Sequence, residues 1–598
     1  MKRRAAPPPP LISSYAFQIL IFSLTSTLLF VFFLACSLVD PSLPISEIKS
    51  ELNGSFQQGS AAGSSNFKAA KSIKFPFLPS RHQVNDFFQS SIRRGKRVFS
   101  SSKSGPYDFL EPKLDFLPPF ATIANVDELI HDTLENDRPT LAGIVGVLDR
   151  FISDLRTSNQ ALASQAYNTL NNRAANPIHP ADIRAAYFAL ASKHLIPLDK
   201  ALRQSEYPKL REDGSVFMSL AAFREHILAD TMKSAFRYSS NPDKLYVGAV
   251  VQNCFGGKGL NACKTGMQVV DAKRDIRQVM DAPPDENGIE LFCSDPEFAK
   301  YCKAGQVRVL YMHETEAIGP ATARYLASKL WGGENYYVQV DSHLQFAKGW
   351  DELYIKDLHL AKAFPNAILS TYPPGFINFR QEPPYTRGTR ICNCHFSEGE
   401  GNILRVEMNG RCKENETRPS QMPFAGAGFV FAHSQLLRDV PYDPYLPWCF
   451  MGEEIAYSIR AWTSGWSIYA PRLNLIGHHY RPLKLGLPHY WETVNRLFPG
   501  MADILMSSPR KRIKNLVGYP MYTKKFVEKE CQTELTKARK FDDESLYQDE
   551  KFYSVLHNLD LYGLGSNRTL EDYLAFAEIN YRTRTCGDLK WCSNGEVE

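Results

Sequence analysis

YYVQVDSH, residues 336–343, is a run of aromatic and β-branched residues that ends on one carboxylate and one imidazole. Tyr336–Val340 reads as a buried strand. In an extended chain, residues two apart point the same way, so Asp341 and His343 face one site with Ser342 between them. That pair suits Mn²⁺ or Mg²⁺ if further oxygens, such as those of a diphosphate, complete the shell. A DxH tripeptide alone is common by chance. Its place at the end of a strand gives it meaning, because ligands of open α/β sheets gather at the carboxyl ends of strands.

The flanking sequence supplies the rest of such a sheet. VFMSLAAF (216–223) reads as a strand, followed by a helix to about Tyr238; LYVGAVVQ (245–252) and VRVLYM (307–312) read as further strands, and 320–331 as a helix. Alternating strands and helices predict a largely parallel α/β sheet. Downstream, Glu453 and Glu454 open a helix over 455–463, after the turn-rich PYDPYLP (441–447), and GHHYR (477–481) follows a short strand at 467–471. Carboxylates complement a helix N-terminus; the functional reading turns Glu453 or Glu454 toward a substrate, and gives one histidine of 478–479 to the metal.

Composition sets wide limits. The 598 residues suffice for two to four domains, and neither the net charge of +5 nor any reading motif argues for nucleic-acid binding. The N-terminus is more informative. Tyr15 to Val39 is predominantly apolar; as a helix it would span roughly 37 Å, enough to cross a bilayer. Lys2, Arg3 and Arg4 precede the run and Asp40 follows it, which keeps the tail cytosolic and the remainder lumenal. The expectation is a single-pass type II protein of the Golgi or endoplasmic reticulum membrane. A cytosolic tail at 1–14 and an anchor at 15–39 would be followed by a disordered stem at 40–115, a helical accessory segment at 116–205, a catalytic domain at 206–500 and a C-terminal extension at 501–598. In that compartment Asn53, Asn415 and Asn567 are glycosylation acceptors. The cysteines after Cys36 can also pair there; the local candidates are Cys254 with Cys263, Cys293 with Cys302, Cys392 or Cys394 with Cys412, and Cys586 with Cys592.

From about Val216 to Arg584 the chain resembles the family-60 glycosyltransferases, the group of the hydroxyproline-modifying polypeptide N-acetylglucosaminyltransferase. The resemblance is carried by VFMSLAAFRE (216–225), NPDKLYVGAVVQ (241–252), IGPATARYLASKLW (318–331), YYVQVDSHLQFAKGWDE (336–352), FAGAGFVFAH (424–433), the stretch 440–471, GHHYRP (477–482) and YGLGSNRTLEDY (562–573). It implies a GT-A, Rossmann-like fold and a metal-dependent, retaining transfer of GlcNAc from UDP-GlcNAc to a hydroxyl. It further implies metal ligands at Asp341, His343 and His478, with His478 preferred to His479. The donor would lie against Ala222, Phe223, Arg224 and Glu225 on the nucleoside side. Arg324 would lie near the nucleotide or its phosphates, Asp341 and Ser342 would also bind the donor, and Glu453 and Glu454 would hold the donor sugar or acceptor. No protein nucleophile is expected; the departing phosphate takes the proton of the incoming hydroxyl. The characterised branch of that family is cytosolic, so an anchored, lumenal chain needs a different acceptor, a protein or glycan of the secretory pathway. GalNAc, Glc or Gal as donor sugar is the alternative, and a non-catalytic, membrane-anchored glycan-binding protein is another.

Overall fold

The computed structural model describes residues 139–171, 178–271, 274, 276–480, 487–519 and 557–595. Among them no helix is long and apolar enough to cross a membrane; the apolar run at 15–39 and the stem at 40–115 lie outside the described residues.

Eight strands form the main sheet: β1 (Val216–Phe223), β2 (Leu245–Asn253), β3 (Val307–His313), β4 (Tyr336–Asp341), β5 (Ala367–Ser370), β6 (Ser420–Met422), β7 (Phe429–His433) and β8 (Ser467–Ala470). Their order across the sheet is β6-β8-β5-β7-β4-β1-β2-β3. The half from β3 to β4 is parallel, as the sequence predicts, with Val216 level with both Leu245 and Tyr336. The other half departs from that expectation. β7 runs antiparallel to both β4 and β5, and β6 runs antiparallel to β8, so the sheet is mixed. An antiparallel strand here brings the start of β7, rather than its end, beside the carboxyl end of β4: Phe429 lies opposite Val340.

Helices cover both faces, which is why the central strands are apolar on both sides rather than alternating. Val216, Met218 and Leu220 of β1 turn to one core, with Met232 and Phe236 of α4 (Leu228–Tyr238) and Trp350 and Tyr354 of α6 (Trp350–Leu360). Trp350 is fully buried, and its Nε1 donates to the Ala235 carbonyl at 3.0 Å. Truncating it to alanine would cost about 3–5 kcal/mol. Phe217 turns to the opposite core. That core also holds Leu148, Phe151 and Leu155 of α1 (Leu141–Asn171), Tyr325 of α5 (Pro320–Ser328) and Ile455 and Ile459 of α7 (Glu453–Thr463).

The N-terminal helices α1, α2 (Pro180–Leu190) and α3 (Ile196–Gln204) belong to the same compact unit as the sheet. Asp199 of α3 links three parts of the chain: its carboxylate accepts from Tyr325 at 2.8 Å and from Tyr562 of the C-terminal segment, and Lys329 Nζ lies 2.5 Å away.

Disulfides add a second tie. Cys254–Cys263 and Cys293–Cys302 pair locally, as expected. The other two cross the chain: Cys392 joins Cys592 and Cys394 joins Cys586, at separations of 200 and 192 residues, leaving Cys412 and Cys449 as buried thiols. This corrects the expected Cys586–Cys592 pair and the expected link to Cys412. Cys392 and Cys394 are two apart on one strand of a hairpin (389–397 with 403–411), so both reach one neighbour, the C-terminal segment. Cys531 lies outside the described residues.

Candidate functional site

Asp341 is the last residue of β4, and the chain then bends at Ser342 and His343 before a short strand, Leu344–Phe346. That strand pairs antiparallel with Ile476–His478, placing His478 opposite Leu344, and the His479 amide donates to the His343 carbonyl at 2.9 Å. Two strands 130 residues apart in sequence thereby deliver the second histidine to the first carboxylate. His478 Nε2 is 3.1 Å from Asp341 Oδ2, and the rings of His343 and His478 meet edge-on with centroids 4.7 Å apart. Among the described residues Asp341, His343 and His478 form the one group of three whose ligand atoms all lie within 4.8 Å of one another. His479 stands apart from it, with its ring against Phe376.

The donor set fits a divalent ion. Ligands about 2.1 Å from an octahedral ion and at right angles to each other lie about 3.0 Å apart, close to the observed separation of Asp341 Oδ2 and His478 Nε2. Room beside the carboxylate depends on Gly428, where a Cβ would stand 3.2 Å from Asp341 Oδ2. Burial opposes the charge of Asp341, but the hydrogen bond with His478 and the nearby His343 and Arg324 outweigh it, and its pKa falls to about 2. A carboxylate ionised at every physiological pH is what metal binding requires.

A second group adjoins this one. Pro320 occupies the first turn of α5, where its missing N–H costs nothing, and Arg324 follows one turn later. The Trp448 amide donates to the Ile318 carbonyl at 2.5 Å, tying the approach to α7 to the start of α5. Gly452, at φ +99°, turns the chain into α7; a Cβ there would press on Ile403 and Ile513. Arg324 therefore stands between the two groups, its Nη2 3.6 Å from Asp341 Oδ1 and its Nη1 3.3 Å from Glu453 Oε1. Glu454 accepts from the Ala427 amide and from Tyr372, each at 2.8 Å. Burial, reinforced by Glu454 and opposed by Arg324, raises Glu453 to about 7; burial raises Glu454 as well, against its two donors. Arg324, Glu453 and Glu454 share the wall of a cavity of about 50 Å³ with Gln339, Tyr442 and Tyr457.

The sequence reading thus chose residues that the fold brings together at Asp341, His343, His478, Arg324, Glu453 and Glu454. The strand-end segment does not join that group. Arg224, at φ +47°, is buried and ion-paired with Asp285 and with Glu314 at 3.0 Å, so its guanidinium ties the end of β1 to the segments that follow β2 and β3. Ala222 is buried, Phe223 packs edge-on against Tyr490, and Ser342 is buried with its carbonyl accepting from Thr231 at 3.0 Å. Tyr372, Gln339 and Tyr442 were not foreseen. Gln339 is a lone polar residue inside an apolar strand, while Tyr372 and Tyr442 lie in the proline-rich turns STYPP (370–374) and PYDPYLP (441–447), and nothing local marks them.

A carboxylate and two histidines that could hold a metal ion, at the end of a parallel strand and beside a buried arginine and two glutamates, suit a nucleotide-sugar transferase. A family model described as glycosyltransferase (GlcNAc) matches residues 215–583. The chain belongs to that family. No curated protein sequence matches it. Among solved structures it is similar to GalNAc-T7, crystallised with UDP, GalNAc and Mn²⁺, at 13% identity over 63% of this chain and 61% of that one, with a TM-score of 0.32. It is also similar to S. aureus TarS, at 13% identity over 62% of this chain and 54% of that one, with a TM-score of 0.26. The chain spans less than two thirds of each.

Proposed function

We propose that this protein is a metal-dependent, retaining GT-A transferase of the family-60 kind, which moves GlcNAc from UDP-GlcNAc to a hydroxyl group in the secretory pathway. The observation that carries the proposal is the junction of two groups through Arg324, with Asp341, His343 and His478 on one side and Glu453 and Glu454 on the other. Asp341, His343 and His478 would hold Mn²⁺ or Mg²⁺, which when bound neutralises the diphosphate leaving group. Arg324 sets a fixed positive charge beside the same phosphates, in a site where it costs no reorganisation as charge develops. Glu453 and Glu454 accept hydrogen bonds from sugar hydroxyls and orient the anomeric carbon. The incoming hydroxyl gives its proton to the departing phosphate oxygen. A lumenal address is supported by the four disulfides among the described residues, a kind of bond that persists in an oxidising compartment. The apolar run at 15–39 would serve as the anchor.

The test is UDP-sugar hydrolysis by the full-length protein in detergent, with a panel of donors, with and without Mn²⁺, beside Asp341→Asn. Metal-dependent hydrolysis of UDP-GlcNAc that disappears in the variant is expected. Preference for UDP-GalNAc or UDP-Glc would move the donor assignment. Absence of both turnover and metal-dependent UDP binding would overturn the catalytic reading.

A further inference from the structure

We infer that Glu225 is a positioning residue for the metal centre: it fixes the ring and tautomer of His343 so that Nε2 is the atom presented to the ion. The inference rests on the metal-binding reading of Asp341, His343 and His478. Glu225 follows the left-handed Arg224 at the end of β1, and that turn carries its side chain inward; the residue is 3% exposed. One carboxylate oxygen, Oε2, accepts from His343 Nδ1 at 2.8 Å. The other accepts from the Ile227 amide at 3.2 Å, at the start of α4, and lies 3.3 Å from His226 Nδ1. Both oxygens are therefore engaged, and the carboxylate is anchored to backbone rather than free to swing.

The consequence for His343 is chemical. A neutral imidazole carries one N–H, and a carboxylate at Nδ1 holds the proton there, leaving the Nε2 lone pair available and more basic. The other histidine lacks this support: among the described residues His478 Nδ1 has no hydrogen-bond partner. Because the His343 and His478 rings touch edge-on, a fixed His343 also limits the tilt of His478. Glu225 would thus order much of the site before the ion arrives.

Mn²⁺ binding to the full-length protein, followed by calorimetry and by the electron paramagnetic resonance signal of the free ion, tests this with Glu225→Gln, Glu225→Ala and Asp341→Asn. Loss of an outer partner of this kind costs about 10- to 100-fold in metal affinity. That loss is expected for Glu225→Ala, with a smaller one for Glu225→Gln, whose amide oxygen still accepts from Nδ1 without the charge. The thermal midpoint of Glu225→Gln should stay at the wild-type value, which separates positioning from a general structural role. Turnover of both variants should recover at high Mn²⁺. If both variants bind Mn²⁺ within twofold of wild type while Asp341→Asn does not, the Glu225 assignment is wrong and the metal site stands. If the wild type itself binds no Mn²⁺, the metal reading falls and the assignment with it. Should Glu225→Ala fail to fold, the isosteric Glu225→Gln decides alone, and unchanged affinity there overturns the role.

Discussion

Replacing Glu453 with glutamine removes an ionisation that the fold resists. The carboxyl opens α7 with its side chain 20% exposed, beside Arg324 and next to a second carboxylate. Its pKa stands at about 7, against 4.5 for the ordinary side chain. Because the folded-state value is the higher one, this group's contribution to stability is fully present below pH 4.5 and is lost as the pH rises through 7. At 1.36 kcal/mol per pH unit the difference amounts to about 3 kcal/mol, of which about 2.5 kcal/mol falls between pH 5 and pH 8. Glutamine mimics the protonated form and has no such dependence; the pairing with Arg324 belongs to the ionised carboxylate and is already contained in that pKa. Urea unfolding of wild type and Glu453→Gln in EDTA, from pH 5 to 8, should show their stability difference shifting by that amount in favour of the variant as the pH rises. Parallel pH profiles would refute the reasoning, since they would mean that Glu453 is ionised throughout and that Arg324 outweighs burial.

Two further predictions concern how the chain is tied together. Asp199→Ala removes the common partner of Tyr325, Tyr562 and Lys329 and leaves Lys329 without its buried counter-charge; it should cost about 3–5 kcal/mol in chemical unfolding, and a loss under 1 kcal/mol would remove Asp199 as a tie between the N-terminal helices and the C-terminal segment. Peptide mapping without reduction should recover Cys392 linked to Cys592 and Cys394 linked to Cys586; a Cys586–Cys592 peptide would contradict the fold there.

Local patterning determined the parallel half of the sheet. Val216–Phe223, Leu245–Asn253, Val307–His313 and Tyr336–Asp341 are continuous apolar runs, because strands covered on both faces need no polar side. Asp341 and Glu453 were legible for the same reason: charged residues that end an apolar strand or begin a helix stand out against their neighbours. The resemblance carried by longer stretches added Arg324 and the preference for His478. Tertiary structure alone decided whatever depends on register between distant segments. The antiparallel insertion of Phe429–His433 between β4 and β5 cannot be read from its own residues, since strand direction belongs to the pair and not to the strand. The pairing of Cys392 with Cys592 arises because the hairpin and the C-terminal segment meet in space, 200 residues apart in sequence. The partner of Glu225 was hidden in the same way: the sequence shows a carboxylate beside a strand end, while its hydrogen bond to His343 exists only because β1 and β4 are neighbours in the sheet. Periodicity and charge report what each segment must bury or expose; which buried group meets which is fixed by packing, where side chains remote in sequence satisfy one another.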